Sequence, residues 1–292
     1  MTGEQQLPET FSRLLEQAFS KNGQLCVGID PHEELLDDSG LSQSIEGLRH
    51  FSLSLLDELT GTVSIIKPQV SFFERFGSAG LKVLEDLCAE ASSRGFLVIA
   101  DAKRGDIGST MSAYTQAWLG KAAPFIVDAL TLSPFLGVGS LAPAVAIASE
   151  RGKGLFVLCA TSNPEGRALQ LATVGGISTS KSIATEVSLL NQLSAQSKTR
   201  FGNIGLVIGA TVNLDAYGLK DLNSDSSAIA APILAPGFGA QGARLSDAKS
   251  IFGSNSDKVI YTISRSALRN GLHSVKSVVT ADQQELAQAL SE

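Results

Sequence analysis

The sequence predicts an α/β protein, a (β/α)8 TIM barrel with an extra N-terminal helix. Three observations predict it. Eight short apolar runs rich in β-branched residues alternate with longer segments of helical periodicity. Several of the short runs, such as LFVLCA at 155–160, are apolar almost throughout. Strands covered on both faces, as in parallel sheets, read this way because neither side meets water. The 292 residues contain no internal repeat and no linker, and barrels of this size routinely form one domain. A single domain over 1–292 is expected, with 1–24 as an N-terminal helical extension.

In chain order, a helix at 11–19 comes first, placed to plug the bottom of the barrel. The strand-like runs are 25–30, 63–69, 96–103, 125–133, 154–162, 204–211, 230–237 and 258–265. After the first, Ile45, Leu48, Leu55, Leu56 and Leu59 fall along one helix face; after the second, Val83, Leu84, Leu87, Cys88 and Ala91 do the same. Two stretches read as long loops, 166–180 after the fifth strand and 220–227 before the seventh. Loops after strands lie on the catalytic face of a barrel, so 166–180, with the flexible GGISTS at 175–180, is a candidate lid. The last helix is expected to open at Thr280, with Gln283 completing a capping box.

Composition narrows the function. A net charge of −6 argues against broad nucleic-acid or anionic-membrane binding but leaves room for a local basic pocket. The opening MTGEQQLPET has no basic segment followed by an apolar one, so no signal peptide is expected. No apolar run approaches the ~20 residues needed to span a bilayer. Cys26, Cys88 and Cys159 form no C-x-x-C pair and are expected as small buried hydrophobes in a reducing cytoplasm. His32, His50 and His273 are scattered, with no metal-ligand spacing, so no metal is expected.

Polar residues at the C-terminal ends of barrel strands are the candidates for chemistry. Asp30 ends the first strand and Lys67 the second. The third runs into Asp101-Ala102-Lys103-Arg104-Gly105-Asp106, and the fifth ends at Ser162-Asn163. The seventh ends in a glycine-rich turn containing Gln241, and the eighth in Arg265. Asp101 and Lys103 are two apart, so on a strand they share a side. A lysine among carboxylates keeps its charge, which makes it a poor nucleophile and a good proton donor. A plain surface salt-bridge cluster is the bland alternative. It suits poorly a segment that follows the apolar run FLVIA. Bland alternatives exist elsewhere too. Asp30 could cap a helix whose first residue is Pro31; Ser162 could cap a turn; Gln241 could be an ordinary loop residue. Lys67 could be a solvent-facing lysine, although Pro68 after it keeps its backbone extended.

Gly237-Phe238-Gly239-Ala240-Gln241-Gly242 matches G-x-G-x-x-G. It lies near the C-terminus, whereas a dinucleotide fingerprint opens its domain with an acidic residue about 20 positions on. A glycine-rich turn after strand seven, with an arginine ending strand eight, fits the phosphate site common in barrels.

The run D-x-K-x-x-D, continued as Asp106-Ile107-Gly108-Ser109-Thr110, resembles the signature of orotidine 5′-phosphate decarboxylases, in wording closest to their longer bacterial branch. The order of Asp30, Lys67, Ser162-Asn163-Pro164, 236–241 and Arg265 extends the resemblance over about residues 25–270. It implies decarboxylation of orotidine 5′-monophosphate to UMP without metal, pyridoxal phosphate or thiamine. It implies that Lys103 protonates C6, that Asp101 lies beside the leaving carboxylate, and that Lys67 and Asp106 complete an alternating charge network. Asp30 and Lys67 would meet the ribose, Ser162 the pyrimidine, Gln241 and Arg265 the phosphate. Asp106 and Thr110 resemble residues that enter a neighbouring subunit's site, which implies a homodimer with shared active sites. Asn163 stands where some relatives carry histidine and is left out of the site. Three alternatives remain on the same barrel. One is a magnesium-dependent 3-keto-6-phosphogluconate-type decarboxylase, which would want a further acidic ligand. The second is a Schiff-base aldolase, which needs a lysine less surrounded by carboxylates. The third is a non-catalytic nucleotide sensor, which would be expected to lack a charged residue here.

Overall fold

The computed structural model describes residues 9–194, 199–224 and 228–292. Ten strands form: β1 Leu25–Ile29, β2 Ile65–Pro68, β3 Leu97–Arg104, β4 Ala129–Leu132, β5 Gly154–Ala160, β6 Thr173–Val174, β7 Ile177–Ser178, β8 Ile204–Ile208, β9 Ile233–Pro236 and β10 Val259–Ile263. Eight of them pair in parallel, in the order β1-β2-β3-β4-β5-β8-β9-β10, and β10 returns to β1 to close the barrel. Helices lie between successive barrel strands except between β8 and β9, where the described residues form only turns and irregular chain; the predicted (β/α)8 barrel is otherwise the observed fold. β6 and β7 form a separate two-stranded antiparallel hairpin.

Two apolar layers account for the closure. The larger packs strands against helices and includes Leu56, Leu84, Leu130, Leu155 and Val279. The smaller fills the barrel with Cys26, Ile65, Ile99, Phe156, Phe201 and Ile260. Phe11 and Leu15 of the helix Phe11–Asn22 belong to this inner cluster. Phe11 meets Phe156 edge-on at 5.7 Å. The first helix therefore does plug the barrel, and it runs three residues past its expected end. Residues 1–8 of the expected extension lie outside those described. Among the described residues no helix is long and apolar enough to cross a membrane.

The expected boundaries shift where side chains replace the strand ladder. The fourth strand starts at Ala129 and not at 125. Phe125 stacks on Trp118 at 4.3 Å, and the Asp128 carboxylate takes the Val98 amide at 2.9 Å. The seventh starts at Ile233, behind Pro232, which has no N–H to give. Ala230 forms only an isolated bridge with Phe201.

The segment 166–180 is not a loop. It holds the helix Gly166–Leu171, the β6–β7 hairpin, and the start of the helix Thr179–Leu193. Gly175 and Gly176, at φ +61° and +85°, supply the two left-handed residues that a tight hairpin turn requires. Of the second expected loop, residues 225–227 lie outside those described; 220–223 are turn and 224 is irregular. The last helix is Val275–Ser291, so Thr280 sits inside it and no capping box forms. The Thr280 hydroxyl donates to the Lys276 carbonyl one turn back at 2.8 Å. Gln283 bridges to the carbonyls of Asn22 and Thr62, each at 2.8 Å.

Candidate active site

Parallel pairing brings the C-terminal ends of β1, β2, β3, β9 and β10 to one rim. A cavity of about 590 Å³ opens there, lined by Asp30, Lys67, Gln241 and Arg265 among others. Lys67 and Asp101, on adjacent strands, form an ion pair at 2.9 Å, and both side chains are buried. Lys103 reaches the other oxygen of the same carboxylate, Nζ to Oδ1 at 2.5 Å, and its side chain is 43% exposed. One carboxylate thus holds two ammonium groups, one dry and one facing solvent.

The electrostatics follow from that contact. Burial alone would raise the Asp101 carboxyl, but Lys67 and Lys103 hold it well below the ordinary carboxylate range. Burial alone would make Lys67 less basic, but Asp101 and then Asp30 keep it above the ordinary lysine range. Both groups are therefore ionised at neutral pH. The buried thiols are inert by comparison: burial pushes Cys26, Cys88 and Cys159 up to about 12.

Asp30 is not a helix cap. The helix Glu33–Asp38 begins only after His32. Asp30 Oδ2 instead accepts a hydrogen bond from the Ser264 hydroxyl at 2.6 Å, and Oδ1 is buried with no partner. Gly28 makes room for this contact. A Cβ there would stand 3.0 Å from Ser264 Cβ and 3.2 Å from the Asp30 carboxylate. Ser162 donates to Gln241 Oε1 at 3.2 Å, which links the fifth strand's end to the glycine-rich turn.

Asp106 and Thr110 stand apart. Among the described residues the Asp106 carboxylate accepts only the amide of Ile107, at 2.8 Å, and neither pairs with Lys103 nor joins the expected charge network. Lys103 pairs there with one carboxylate, not two. Ile107, next to Asp106, is 61% exposed, and Phe135 and Leu136, in the segment after the neighbouring strand β4, are 73% and 53% exposed.

Sequence reasoning missed several residues. Thr131, buried in β4, accepts the Lys103 amide at 2.9 Å and donates to Asp101 Oδ1 at 2.9 Å. Nothing in its own position distinguishes it from a core threonine; only the barrel's closure puts it beside Asp101. Ser264 was visible as the neighbour of Arg265 but had no partner until β10 met β1. His32, Phe72 and Arg75 also line the cavity. Arg75 is engaged by Glu33 and Gln43, each at 2.9 Å. Among the described residues no group of three or more His, Cys, Asp or Glu side chains converges.

The family described as "Orotidine 5'-phosphate decarboxylase / HUMPS family" matches residues 23–270. An orotidine 5′-phosphate decarboxylase of Streptomyces coelicolor is 46% identical over 265 residues, covering 90% of this chain and 91% of that protein. One of Corynebacterium glutamicum is 46% identical over 264 residues, with the same coverage. A crystal structure of a Streptomyces avermitilis protein assigned as an orotidine 5′-phosphate decarboxylase superposes with a TM-score of 0.89 at 41% identity, over 100% of both chains. The OMP decarboxylase of Leishmania donovani gives 0.76 at 25% identity, over 97% of this chain and 99% of that one.

Proposed function

The chain belongs to the orotidine 5′-phosphate decarboxylase / HUMPS family, and from that premise we propose how its residues carry the conversion of orotidine 5′-monophosphate to UMP and CO2. The enzyme is a lyase. The observation that carries the assignment of roles is the shared carboxylate of Asp101, with Lys67 buried on one side and Lys103 exposed to solvent on the other.

The substrate phosphate lies against the glycine-rich turn 237–242, where Gln241 and Arg265 hold it. Arginine suits bidentate phosphate contact. The ribose hydroxyls meet Asp30, whose unpartnered Oδ1 is free to accept, and Lys67. Ser162 reaches the pyrimidine. The ring then sits over the third strand, with its carboxylate beside Asp101. The C6–carboxylate bond breaks, CO2 leaves, and the electron pair stays on C6. Lys103 Nζ delivers a proton to that carbon and is recharged from solvent. The phosphate is remote from the bond that breaks, so its binding energy serves to fix the ring against Lys103. None of these steps draws on a metal or an organic cofactor.

The active unit is a homodimer with two shared sites. Asp106 and Thr110 of the partner subunit complete each one, which accounts for their isolation within a single chain. The exposed Ile107, with Phe135 and Leu136 after the neighbouring strand β4, would supply the apolar contact such a dimer needs. The segment 166–180 acts as the lid; Leu169, Val174 and Ile177 give it an exposed apolar face just beyond the end of β5. A cytoplasmic location fits three free buried thiols.

Lys103→Ala tests the central role. Removal of a general acid costs about 10²- to 10⁴-fold in rate, so turnover should be abolished in routine assays while UMP still binds. A variant that turned over at nearly the wild-type rate would end the proton-donor assignment.

A further inference from the structure

Lys103 is one of two described residues other than glycine with positive φ, at +48°. A lysine enters the left-handed region only where its surroundings hold it there. The β3–β4 pairing breaks at the same place, between Ala100 and Arg104. The Lys103 amide is thereby turned off the backbone ladder and given to the Thr131 hydroxyl at 2.9 Å. That hydroxyl in turn donates a hydrogen bond to Asp101 Oδ1 at 2.9 Å, the oxygen that also accepts from Lys103 Nζ. Thr131 is 1% exposed. Both hydrogen-bonding capacities of its oxygen are used within the site, one as acceptor and one as donor.

We propose that Thr131 is a positioning residue for the proton donor, holding the left-handed backbone at Lys103 and the Asp101 oxygen that Lys103 grips. The inference rests on the reading of Lys103 as proton donor. The lysine side chain is long and partly exposed, and among the described residues it finds, apart from Asp101, only Gln69 Oε1, at 3.4 Å. Its reach is therefore set by where its backbone begins and where the carboxylate points. Thr131 ties these two points together through one oxygen. The contact touches neither the phosphate turn nor Asp30, so its loss should fall on the chemical step rather than on binding.

The test is steady-state kinetics on Thr131→Val, which keeps the shape and removes the hydroxyl, with Thr131→Ser and Thr131→Ala beside it. Thr131→Val should lower kcat by about 10- to 100-fold, the loss expected for a hydrogen bond to a charged group. KM and the affinity for UMP should stay within about threefold of wild type, because the binding groups are untouched. Thr131→Ser, which restores the oxygen, should recover kcat to within about threefold. Should Thr131→Val fail to fold, Thr131→Ala against Thr131→Ser makes the same comparison. A wild-type kcat in Thr131→Val, a loss carried by KM, or a serine variant as slow as valine would each overturn the proposal. Lys103→Ala in the same assay separates the two ideas: if it turns over, the donor assignment itself fails, whatever Thr131 does.

Discussion

Asp101 binds two cations with one carboxylate, and the two contacts differ in kind. The Lys67 contact is buried, so removing Asp101 leaves an uncompensated ammonium inside the barrel. Breaking a buried pair in this way costs about 3–5 kcal/mol. Asp101→Ala should lose that much in a urea melt; a loss under about 1 kcal/mol would mean that Lys67 finds water or another partner. The pair also sets a pH window. Asp101 is more acidic folded than its unfolded value near 3.9. Its contribution is complete above about pH 4 and drains as pH falls toward the lower folded value. Lys67 is more basic folded than its unfolded value near 10.4, so its contribution holds below about pH 10 and is lost only at higher pH. Wild-type stability should therefore carry no titration from this pair between about pH 5 and 9 and should fall in acid as Asp101 is protonated. Protonation of Asp101 in the folded wild type near neutrality, followed by its carboxyl NMR signal, would contradict the shifts. At the ribose end, Ser264→Ala frees Asp30 Oδ2 and should raise KM by about tenfold, the worth of one hydrogen bond to a charge. An unchanged KM would remove Ser264 from the site. Asp101 and Lys103 were legible because chemistry and spacing coincide within six residues. Thr131 and Ser264 were not, because each acquires meaning from a strand far away in sequence.

The first helix and the last correct the sequence in opposite ways. Phe11 was legible as part of an apolar helix, and it is fully buried against Phe156. Phe11→Ala should cost about 3–5 kcal/mol and leave the kinetics of the folded enzyme unchanged, because the plug lies at the end opposite the catalytic rim. A large drop in kcat with little loss of stability would contradict that separation. The last helix was misjudged because Thr280 and Gln283 have capping-box spacing but serve other partners. Local pattern cannot tell a cap from a tertiary contact at the same spacing. The same limit explains 166–180. Gly175-Gly176 carried a hairpin signal, but β6 and β7 have two residues each, too few to display alternation. Strands buried on both faces were the most legible elements, and their errors lie at their ends; at the starts of the fourth and seventh, Asp128 and Pro232 interrupt the ladder.

At the scale of the whole molecule, the barrel was legible because eight apolar runs recur along the chain, and closure adds what recurrence cannot: β10 beside β1, hence Ser264 beside Asp30. Asp106 and Thr110 lie away from the other site residues, as the proposed shared-site dimer requires. The proposed shared-site dimer makes a sharp prediction. Asp106→Asn and Lys103→Ala, each inactive alone, should regain activity when mixed, because a mixed dimer contains one site with both residues intact. Subunit exchange without recovered activity would contradict it. The most direct measurement follows orotidine 5′-monophosphate by ultraviolet absorbance with EDTA-treated wild-type enzyme and with Lys103→Ala. Loss of the substrate spectrum with UMP appearing for wild type, and none for the variant, is the expected result. No turnover by folded, dimeric wild-type protein, or equal turnover by both, would contradict decarboxylation through Lys103.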